Sequence, residues 1–472
     1  MVEPLSDLEA GLLDTQLLSN HIASFGKSRA HSGHQKPDQP ARKVDYDKLY
    51  SKAGKARQPG ALTAVVSAFG DDPDIIGMHG GLPHEEAFPF ASFTVGLKDG
   101  TRIHIDDPAK VADAQQYNIH VKGYPPLYQW AFDHVQRMHA PPAGQDVMIS
   151  NGSNHTIEVV TSLLMDRGDS ILCEEFTYFY MIDSVVPTRG YKAVPVEVDQ
   201  FGMSPTALRK VLQDMQRRGE KLPRLLYTVP VGQNPTGAAT PGDRKREIYK
   251  ICQEYEIIVV EDDAYYYLQY PSATGDLPGV AGLGPSYLSL DTDGRVVRLD
   301  SFSKLLAPGF RLGWVTADPQ LLDKMTMALH ASLNGPCSVT QVLLAELMQQ
   351  WGETGFEAYA RRMQGVYRRR AAVLHEAATQ ELTGLAEWQR PTAGMFLWMK
   401  LTTLCDVDEI LEQLVQQKVV VLPGRIAHCQ GPRTPFACPY IRLSFASASE
   451  EDMRTGIKRL ANILRSAPPR AC

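Results

Sequence analysis

Residues 295–304, RVVRLDSFSK, join an apolar, strand-like run to Ser301, Ser303 and Lys304. At the end of a strand the two serines alternate onto one side, so that their hydroxyls can hold a phosphate together with Arg311, seven residues beyond Lys304. The Lys304 ammonium can then reach past the phosphate towards a carbonyl. Taken alone, the SxSK pattern is weak, because an ordinary lysine in a serine-containing turn is the more frequent case.

The surrounding chain repeats this arrangement from about residue 145 to about residue 320, where short apolar runs alternate with helix-length segments of mixed polarity. The runs are DVMIS (146–150), SILCEE (170–175), YKAVPVEV (191–198), RLLYTV (224–229), IIVVEDD (257–263), RVVRLDS (295–301) and LGWVTA (312–317). Runs that are apolar on both faces predict an α/β fold with a mostly parallel sheet covered by helices. Chemistry in such a sheet is expected at the carboxyl ends of the strands.

Asp262 ends one of these runs. A carboxylate fixed there could pair with a pyridinium nitrogen and keep it protonated, which makes the ring an effective electron sink. Tyr265 follows three residues later and could donate a hydrogen bond to a phenolic oxygen of the same ring. The alternative for Asp262 is a satisfied polar group at a strand end, but a carboxylate after four apolar residues is costly without a partner.

Three more segments follow other strand-like runs. Asn234, within GQNPTG (232–237), could present its amide to the phenolic oxygen, although an Asn in such a turn is equally expected for its backbone tolerance. Ser153 and Asn154 begin a helical segment whose free N–H groups could cradle a phosphate, and a simple capped turn is the alternative. Tyr178 could stack on a cofactor ring or belong to ordinary packing.

Arg442 lies in the strand-like run YIRLS (440–444) among apolar neighbours. An arginine in such a place needs an anion, and the α-carboxylate of a substrate suits its two-pronged geometry. A structural ion pair is the alternative.

The organisation of the chain predicts four parts. Residues 1–45 are polar and predict a loosely ordered arm, and residues 46–115 are expected to hold the N-terminal part of a small domain and a linker. Residues 116–345 are predicted to form the large domain. Residues 346–472 predict a small α+β domain, since helical patterns such as VYRRRAAVLHEAA (366–378) precede the strand-like FLWMKL (396–401), KVVVLPG (418–424) and YIRLSFA (440–446).

The composition narrows the class of protein. With 43% hydrophobic residues, 22% charged residues and a net charge of −6, the chain is typical of globular proteins, and nothing favours a nucleic acid as partner. No apolar stretch approaches the roughly 18 residues of a membrane span, and the acidic N-terminus is unlike a secretory signal, so we expect no membrane attachment and a cytoplasmic location.

Seven scattered cysteines predict reduced thiols, and no metal site is expected. A run of arginines predicts a solvated or dimer-contact helix face: Arg361, Arg362, Arg368, Arg369 and Arg370.

The motifs SNGSN, EEFTY, VGQNPTG, EDDAYY, SFSK with Arg311, and YIR, in this order, resemble the class I/II aminotransferases of pyridoxal 5'-phosphate (PLP) fold type I over about residues 70–450. The segments GGLP (80–83) and EDDAYYYLQY (261–270) are most similar to the kynurenine, 2-aminoadipate and fungal aromatic amino-acid aminotransferases. Ala264 departs from this branch, which usually has Pro there. The resemblance implies a mostly parallel seven-stranded sheet between helices in a large domain, and a smaller α+β domain.

The resemblance also implies a set of roles. Lys304 would carry PLP as a Schiff base and serve as general base, and Arg442 would grip the substrate carboxylate. The phosphate would be held by Ser153, Asn154, Ser301, Ser303 and Arg311, with Tyr117 reaching in from the second subunit of a homodimer. Gly81 and Leu82 are expected in the wall of the side-chain pocket.

The expected reaction moves the amino group of an aromatic or other large L-amino acid to a 2-oxo acid such as 2-oxoglutarate. Donors such as 2-aminoadipate or kynurenine are an alternative, and a PLP-dependent lyase or decarboxylase on the same fold is another, because the fold alone does not choose the bond that breaks. A DNA-binding regulator built on this fold is disfavoured, since the roughly 45 residues before the resemblance are too polar for a helix-turn-helix domain.

Overall fold

The computed structural model describes residues 43–59, 76, 78, 81–117, 120–271, 273–430 and 436–466. Residues 42–57 and 83–472 form one compact unit, to which the fold below belongs, and residues 1–41 with 58–82 form another. Almost all of the predicted N-terminal arm lies outside the described residues.

The strands follow the apolar runs of the sequence. In chain order they are β1 (Phe93–Gly96), β2 (Arg102–Ile105), β3 (Asp146–Ser150), β4 (Ser170–Glu174), β5 (Lys192–Val196), β6 (Val198–Asp199), β7 (Gly202–Met203), β8 (Leu225–Thr228), β9 (Ile258–Asp262), β10 (Val296–Ser301), β11 (Gly313–Ala317), β12 (Ala386–Trp388), β13 (Phe396–Leu401), β14 (Leu422–Pro423) and β15 (Tyr440–Ser444). Each of the seven predicted runs contains a strand, so the strand prediction is confirmed.

A seven-stranded sheet carries these runs in the order β3-β11-β10-β9-β8-β4-β5. Strands β10, β9, β8, β4 and β5 pair in parallel, whereas β11 is antiparallel to both of its neighbours. The predicted mostly parallel α/β sheet is therefore confirmed, with one reversed strand. The reversal follows from the short connection between β10 and β11, because a parallel partner would need a longer crossover.

Helices connect and cover the strands. They are α1 (Tyr46–Leu49), α2 (Lys52–Ala56), α3 (Pro108–Gln115), α4 (Pro125–His139), α5 (Ser153–Leu164), α6 (Val186–Arg189), α7 (Pro205–Arg217), α8 (Gly242–Glu254), α9 (Phe302–Leu305), α10 (Pro319–Leu333), α11 (Ser338–Leu382, kinked at Gly352), α12 (Leu411–Gln416) and α13 (Glu450–Ser466). Within the described ranges, none of the helices has both the length and the apolar character needed to span a membrane.

The apolar side chains form two cores. The first surrounds the seven-stranded sheet, and the second packs the four-stranded antiparallel sheet β12-β13-β15-β14 against α11 and α13. The kinked α11 joins them, with Phe356 in the first core and Leu374 in the second. Tyr46, Ile103 and Ile105 are buried in the first core. The division of the chain into domains stays a prediction.

Arginines of the predicted face of α11 contact other segments of the same chain. Arg370 Nε donates to the Phe445 carbonyl at 2.5 Å, and Arg369 pairs with Glu450 at 3.1 Å. These contacts tie α11 to the second core.

The cysteines are free thiols at the described positions 173, 252, 337, 429 and 438. Cys405 differs from the prediction of reduced thiols because it is disulfide-bonded. The described part of the chain contains no group of three His, Cys, Asp or Glu side chains arranged to hold a metal ion.

Two histidines of α4 are buried beneath the large sheet. His134 stacks on Trp130 with ring centroids 5.0 Å apart, and its Nε2 lies 2.7 Å from the Tyr267 hydroxyl. Burial lowers the pKa of His134 to about 3 and lowers that of His139 well below its ordinary value. The fold therefore favours the neutral imidazole at both positions.

This burial predicts a loss of stability in acid. Because the folded pKa of His134 lies below the ordinary 6.5, its contribution is complete above about pH 6.5 and falls as the pH drops towards 3. Between pH 6.5 and pH 5 this amounts to about 2 kcal/mol. Urea unfolding at several pH values should show a shallower acid loss for His134→Phe/Tyr267→Phe than for Tyr267→Phe alone. Equal slopes would contradict the prediction.

Candidate active site

The carboxyl ends of the central strands surround a cavity of about 270 Å³. Its lining is Ser153, Asn154, Tyr178, Phe179, Val229, Asn234, Asp262, Ala264, Tyr265, Ser301, Ser303, Lys304, Pro308, Arg311, Phe396 and Arg442. The site residues predicted from six separate motifs thus meet at one place, at the edge of the sheet where the strand directions require it.

One end of the cavity is built for an anion. Gly152, with φ of 81°, precedes α5, and a Cβ on it would lie 3.0 Å from Arg311 Nη2, so the glycine allows the guanidinium to approach the helix start. Ser153 Oγ is buried and makes no hydrogen bond. Arg311 Nη1 lies 3.5 Å from Ser303 Oγ, and the Ser303 N–H donates to Ser301 Oγ at 3.1 Å. Hydroxyls, a guanidinium and a helix N-terminus together suit a phosphate.

Asp262, the last residue of β9, faces the cavity with one unpaired oxygen. Its Oδ2 accepts a hydrogen bond from the buried Tyr227 hydroxyl at 2.7 Å, whereas its Oδ1 is buried without a partner. Burial raises the pKa of Asp262 to about 6, although the hydrogen bond from Tyr227 opposes this shift. A protonated ring nitrogen would satisfy Oδ1 and hold the carboxylate in its charged form.

Lys304 lies on the short helix α9, directly after β10. Its Nζ is 6.0 Å from the centre of the Tyr265 ring. Burial, together with the charges of Arg311 and Arg442, lowers the pKa of Lys304, while Asp262 raises it. The amine is therefore more readily neutral than an exposed lysine, which favours both attack on a carbonyl and proton abstraction.

Arg442 brings the second core to the cavity. From β15 its Nη1 donates to Asn234 Oδ1 at 2.6 Å, and its guanidinium lies over the Phe396 ring, 4.3 Å from the centroid. Its Nε is buried without a hydrogen-bond partner. A fixed guanidinium with a free donor is suited to a substrate carboxylate.

Tyr178 and Tyr265 place two hydroxyls at the cavity. The Tyr178 hydroxyl donates to Asn154 Oδ1 at 3.3 Å. Burial raises the pKa of Tyr265, so its hydroxyl stays protonated near neutral pH and can donate a hydrogen bond. The Tyr178 ring lies in the cavity wall, where a planar cofactor could stack on it.

The other predicted site residues lie elsewhere. Tyr117 is 55% exposed and, with His120 and Tyr124, lines a separate cavity of about 20 Å³. Gly81 and Leu82 belong to the other compact unit, and their part in a substrate pocket stays a prediction.

The sequence from residue 127 to residue 460 matches the family of class I and II aminotransferases. The chain belongs to this family. It is 32% identical, over 90% of this chain and 100% of the relative, to the mitochondrial kynurenine/alpha-aminoadipate aminotransferase of Bos taurus. It is 35% identical, over 76% of this chain and 75% of the relative, to the L-tyrosine:2-oxoglutarate aminotransferase atrD of Tapinella panuoides. The crystal structure of the aminotransferase Aro8 from Candida albicans is similar with a TM-score of 0.81, 28% identity and coverage of 90% and 99%.

Aminotransferases of this family use PLP, and the cavity of this aminotransferase fits the cofactor. Ser153 Oγ and Asp262 Oδ1 are buried at the cavity without hydrogen-bond partners, and they could serve as a phosphate donor and a ring-nitrogen acceptor. Bound PLP supplies a carbonyl carbon for an amine and a ring that withdraws electrons from the α-carbon of the amino acid. Lys304 Nζ would hold the cofactor at that carbon, and as a neutral amine it would accept the proton of the substrate α-carbon. Arg442 would hold the substrate carboxylate meanwhile.

The residues of this site that sequence reasoning missed include Tyr227, Phe179 and Phe396. Tyr227 supports Asp262 from the neighbouring strand β8, and its signal was a hydroxyl within a fully buried strand. Phe179 and Phe396 line the cavity. Neither carries a polar group, so their pattern could not be told apart from ordinary packing.

This geometry predicts the site of covalent attachment. After incubation with PLP and reduction with borohydride, peptide mapping should find the cofactor on Lys304, because its amine is half-buried beside the phosphate and ring sites. Lys304→Ala should lose the label and still bind PLP through the remaining contacts. Lys250→Ala, on the exposed side of α8, should be labelled like the unmodified protein. A label on any other lysine would contradict the assignment.

Proposed function

We propose that the protein transfers the amino group of an aromatic L-amino acid, or of another one with a large side chain, to a 2-oxo acid such as 2-oxoglutarate. The observation that carries the proposal is the set of aromatic side chains Tyr178, Phe179 and Phe396, which line the cavity together with Lys304. Offset or edge-to-face contacts with such rings favour aromatic side chains over small ones. The names of the tyrosine and kynurenine relatives support the same donor class.

The roles of the residues follow from their contacts. Arg442 binds the α-carboxylate through its free Nε, since its Nη1 is held by Asn234. Asp262 would bind the protonated ring nitrogen of PLP. Asn234 and Tyr265 would donate hydrogen bonds to the phenolic oxygen of PLP. Ser153, Ser301, Ser303 and Arg311 hold the phosphate, with Asn154 beside them.

A donor panel tests the proposal. With 2-oxoglutarate as acceptor, kcat/KM for phenylalanine, tyrosine, tryptophan and kynurenine should exceed that for aspartate and alanine about tenfold or more. Phe179→Ala should lower kcat/KM for the aromatic donors about tenfold and leave alanine little changed. The matched control is Phe201→Ala, which removes an exposed ring between β6 and β7 that does not line the cavity.

Other outcomes of the panel favour the alternatives. A clear preference for 2-aminoadipate would mean that this amino acid, and not an aromatic one, is the amino donor. Release of ammonia or CO2 without consumption of an acceptor would favour a lyase or decarboxylase. Stoichiometric formation of a 2-oxo acid from the donor, strictly dependent on the acceptor, supports amino transfer.

We also propose that the protein is a homodimer in which Tyr117 of one protomer completes the phosphate site of its partner. Tyr117 is exposed and does not line the large cavity of its own chain. Other large apolar side chains exposed in the same region of the described chain are Phe90, Val121, Leu333 and Val339. Gln115 bonds to the Phe90 backbone, and His330 bonds to the Val121 carbonyl, which ties these segments into one surface. An exposed apolar surface of this kind is typical of an interface.

Sedimentation velocity tests the dimer. The unmodified protein should sediment as a dimer, and Val121→Asp should shift it to monomer, because an unpaired charge would be buried in the interface. Val420→Asp, at a valine that is 91% exposed and precedes β14, is the matched control and should remain dimeric. Val121→Asp should also bind PLP more weakly, since the partner's tyrosine is lost. A monomeric unmodified protein with full PLP affinity would contradict the proposal.

The cytoplasmic location stays a prediction. The bovine relative is named as mitochondrial, so cell fractionation is the measurement that decides whether the two differ.

A further inference from the structure

Tyr227 is buried next to the cavity without lining it. Its side chain is 0% exposed, and it stands on β8 in parallel register with Val260 of β9. Side chains two residues apart on a strand share a face, so Tyr227 and Asp262 lie on the same face of the sheet. The Tyr227 hydroxyl donates to Asp262 Oδ2 at 2.7 Å.

The hydrogen bond from Tyr227 makes the two carboxylate oxygens of Asp262 different. Oδ2 is occupied by Tyr227, and Oδ1 is buried without a partner. Ser153 lies close enough to lower the pKa of Asp262 as well, yet its Oγ and Asp262 Oδ1 have no partner in hydrogen-bonding geometry. A carboxylate anchored through one oxygen has lost most of its rotational freedom before a ligand arrives, which is the pre-organisation that a binding site needs.

The electrostatics around the pair act in the same direction. The titratable groups that act on Asp262 are Tyr227, Lys304, Tyr178 and Tyr265 on the cavity side and Asp263 on the opposite face of the sheet. Burial and the charge of Asp263 raise the pKa of Asp262, while the bond from Tyr227 is the largest opposing influence and Lys304 adds to it, so that the resulting pKa is about 6. Burial also raises the pKa of Tyr227 well above its usual range, so its hydroxyl remains a donor at any working pH.

We propose that Tyr227 is a positioning residue for the cofactor, whose hydroxyl holds Asp262 Oδ2 and leaves Oδ1 as the acceptor for the pyridine nitrogen. The inference rests on the proposed role of Asp262. It adds a residue that touches neither substrate nor cofactor and acts through the carboxylate alone.

The test measures PLP affinity as a function of pH in the full-length protein. Tyr227→Phe keeps the ring and removes one hydroxyl, so it should fold like the unmodified protein. Its dissociation constant for PLP at pH 7 should rise about tenfold, because a hydrogen bond to a charged group is lost. As the pH is lowered, the loss of PLP affinity should begin about one pH unit higher in Tyr227→Phe than in the unmodified protein. Without the hydrogen bond that lowers its pKa, the Asp262 carboxyl takes up a proton at a higher pH.

The matched control is Tyr46→Phe, which removes another fully buried hydroxyl, one that donates to the Gly294 carbonyl at 2.7 Å outside the cavity. It should leave both PLP affinity and its pH dependence unchanged. Equal behaviour of Tyr227→Phe and Tyr46→Phe would overturn the inference and leave a merely structural role.

A double-mutant cycle separates this inference from the proposal on Asp262. If Tyr227 acts through the carboxylate, Tyr227→Phe should have little further effect on PLP affinity in an Asp262→Asn background. Fully additive losses would overturn the inference and leave the role of Asp262 intact. An Asp262→Asn variant with unchanged PLP affinity would overturn the role of Asp262 itself, and the inference with it.

Discussion

A buried carboxylate with one unpaired oxygen is the constraint on which the site depends. Asp262 ends a strand whose residues are all buried, and its Oδ1 is left without a partner. Such a group is unfavourable unless a cation or a strong donor meets it. The cavity answers this need, because it opens directly in front of Asp262 and holds the lysine, the serines and the arginine that suit the rest of a phosphorylated pyridine. The buried, unpaired Oδ1 of Asp262 thus destabilises the fold until a bound cofactor supplies its partner.

The alternation of β9 and β10 explains how the sheet tolerates so many charges. Asp262 points to the cavity, whereas its neighbours Glu261 and Asp263 point to the opposite face, where Arg298 pairs with both, at 3.3 Å and 2.8 Å. Asp300 completes this group at 2.9 Å from the same guanidinium. Arg298 therefore offsets the negative charge of Asp263, which otherwise raises the pKa of Asp262. Arg298, on the face of the sheet opposite the cavity, thus helps to keep Asp262 ionised as the acceptor for the cofactor's ring nitrogen.

The sequence predicted the parts of this arrangement that depend on local pattern. Apolar runs located the seven strands, and polar residues at their ends located Lys304, Asp262 and Asn234, because parallel strands bring their carboxyl ends together. The reversed β11 was missed, since strand direction depends on connection length and not on apolar pattern. Tyr227 was missed because its partner lies on another strand, and a cross-strand hydrogen bond requires the register.

The same distinction explains why the reaction class is easier to predict than the substrate. The residues that face the cofactor end strands of the first core, so their positions follow from one sheet. Phe396, at the start of β13, packs within the first core, whereas Arg442 stands on β15 of the four-stranded sheet and reaches the cavity through contacts such as the 2.6 Å bond to Asn234. Small changes in the packing of the second core would move the guanidinium that is proposed to hold the substrate carboxylate and leave the phosphate and ring sites in place. Donor preference can therefore diverge among relatives that keep every cofactor residue.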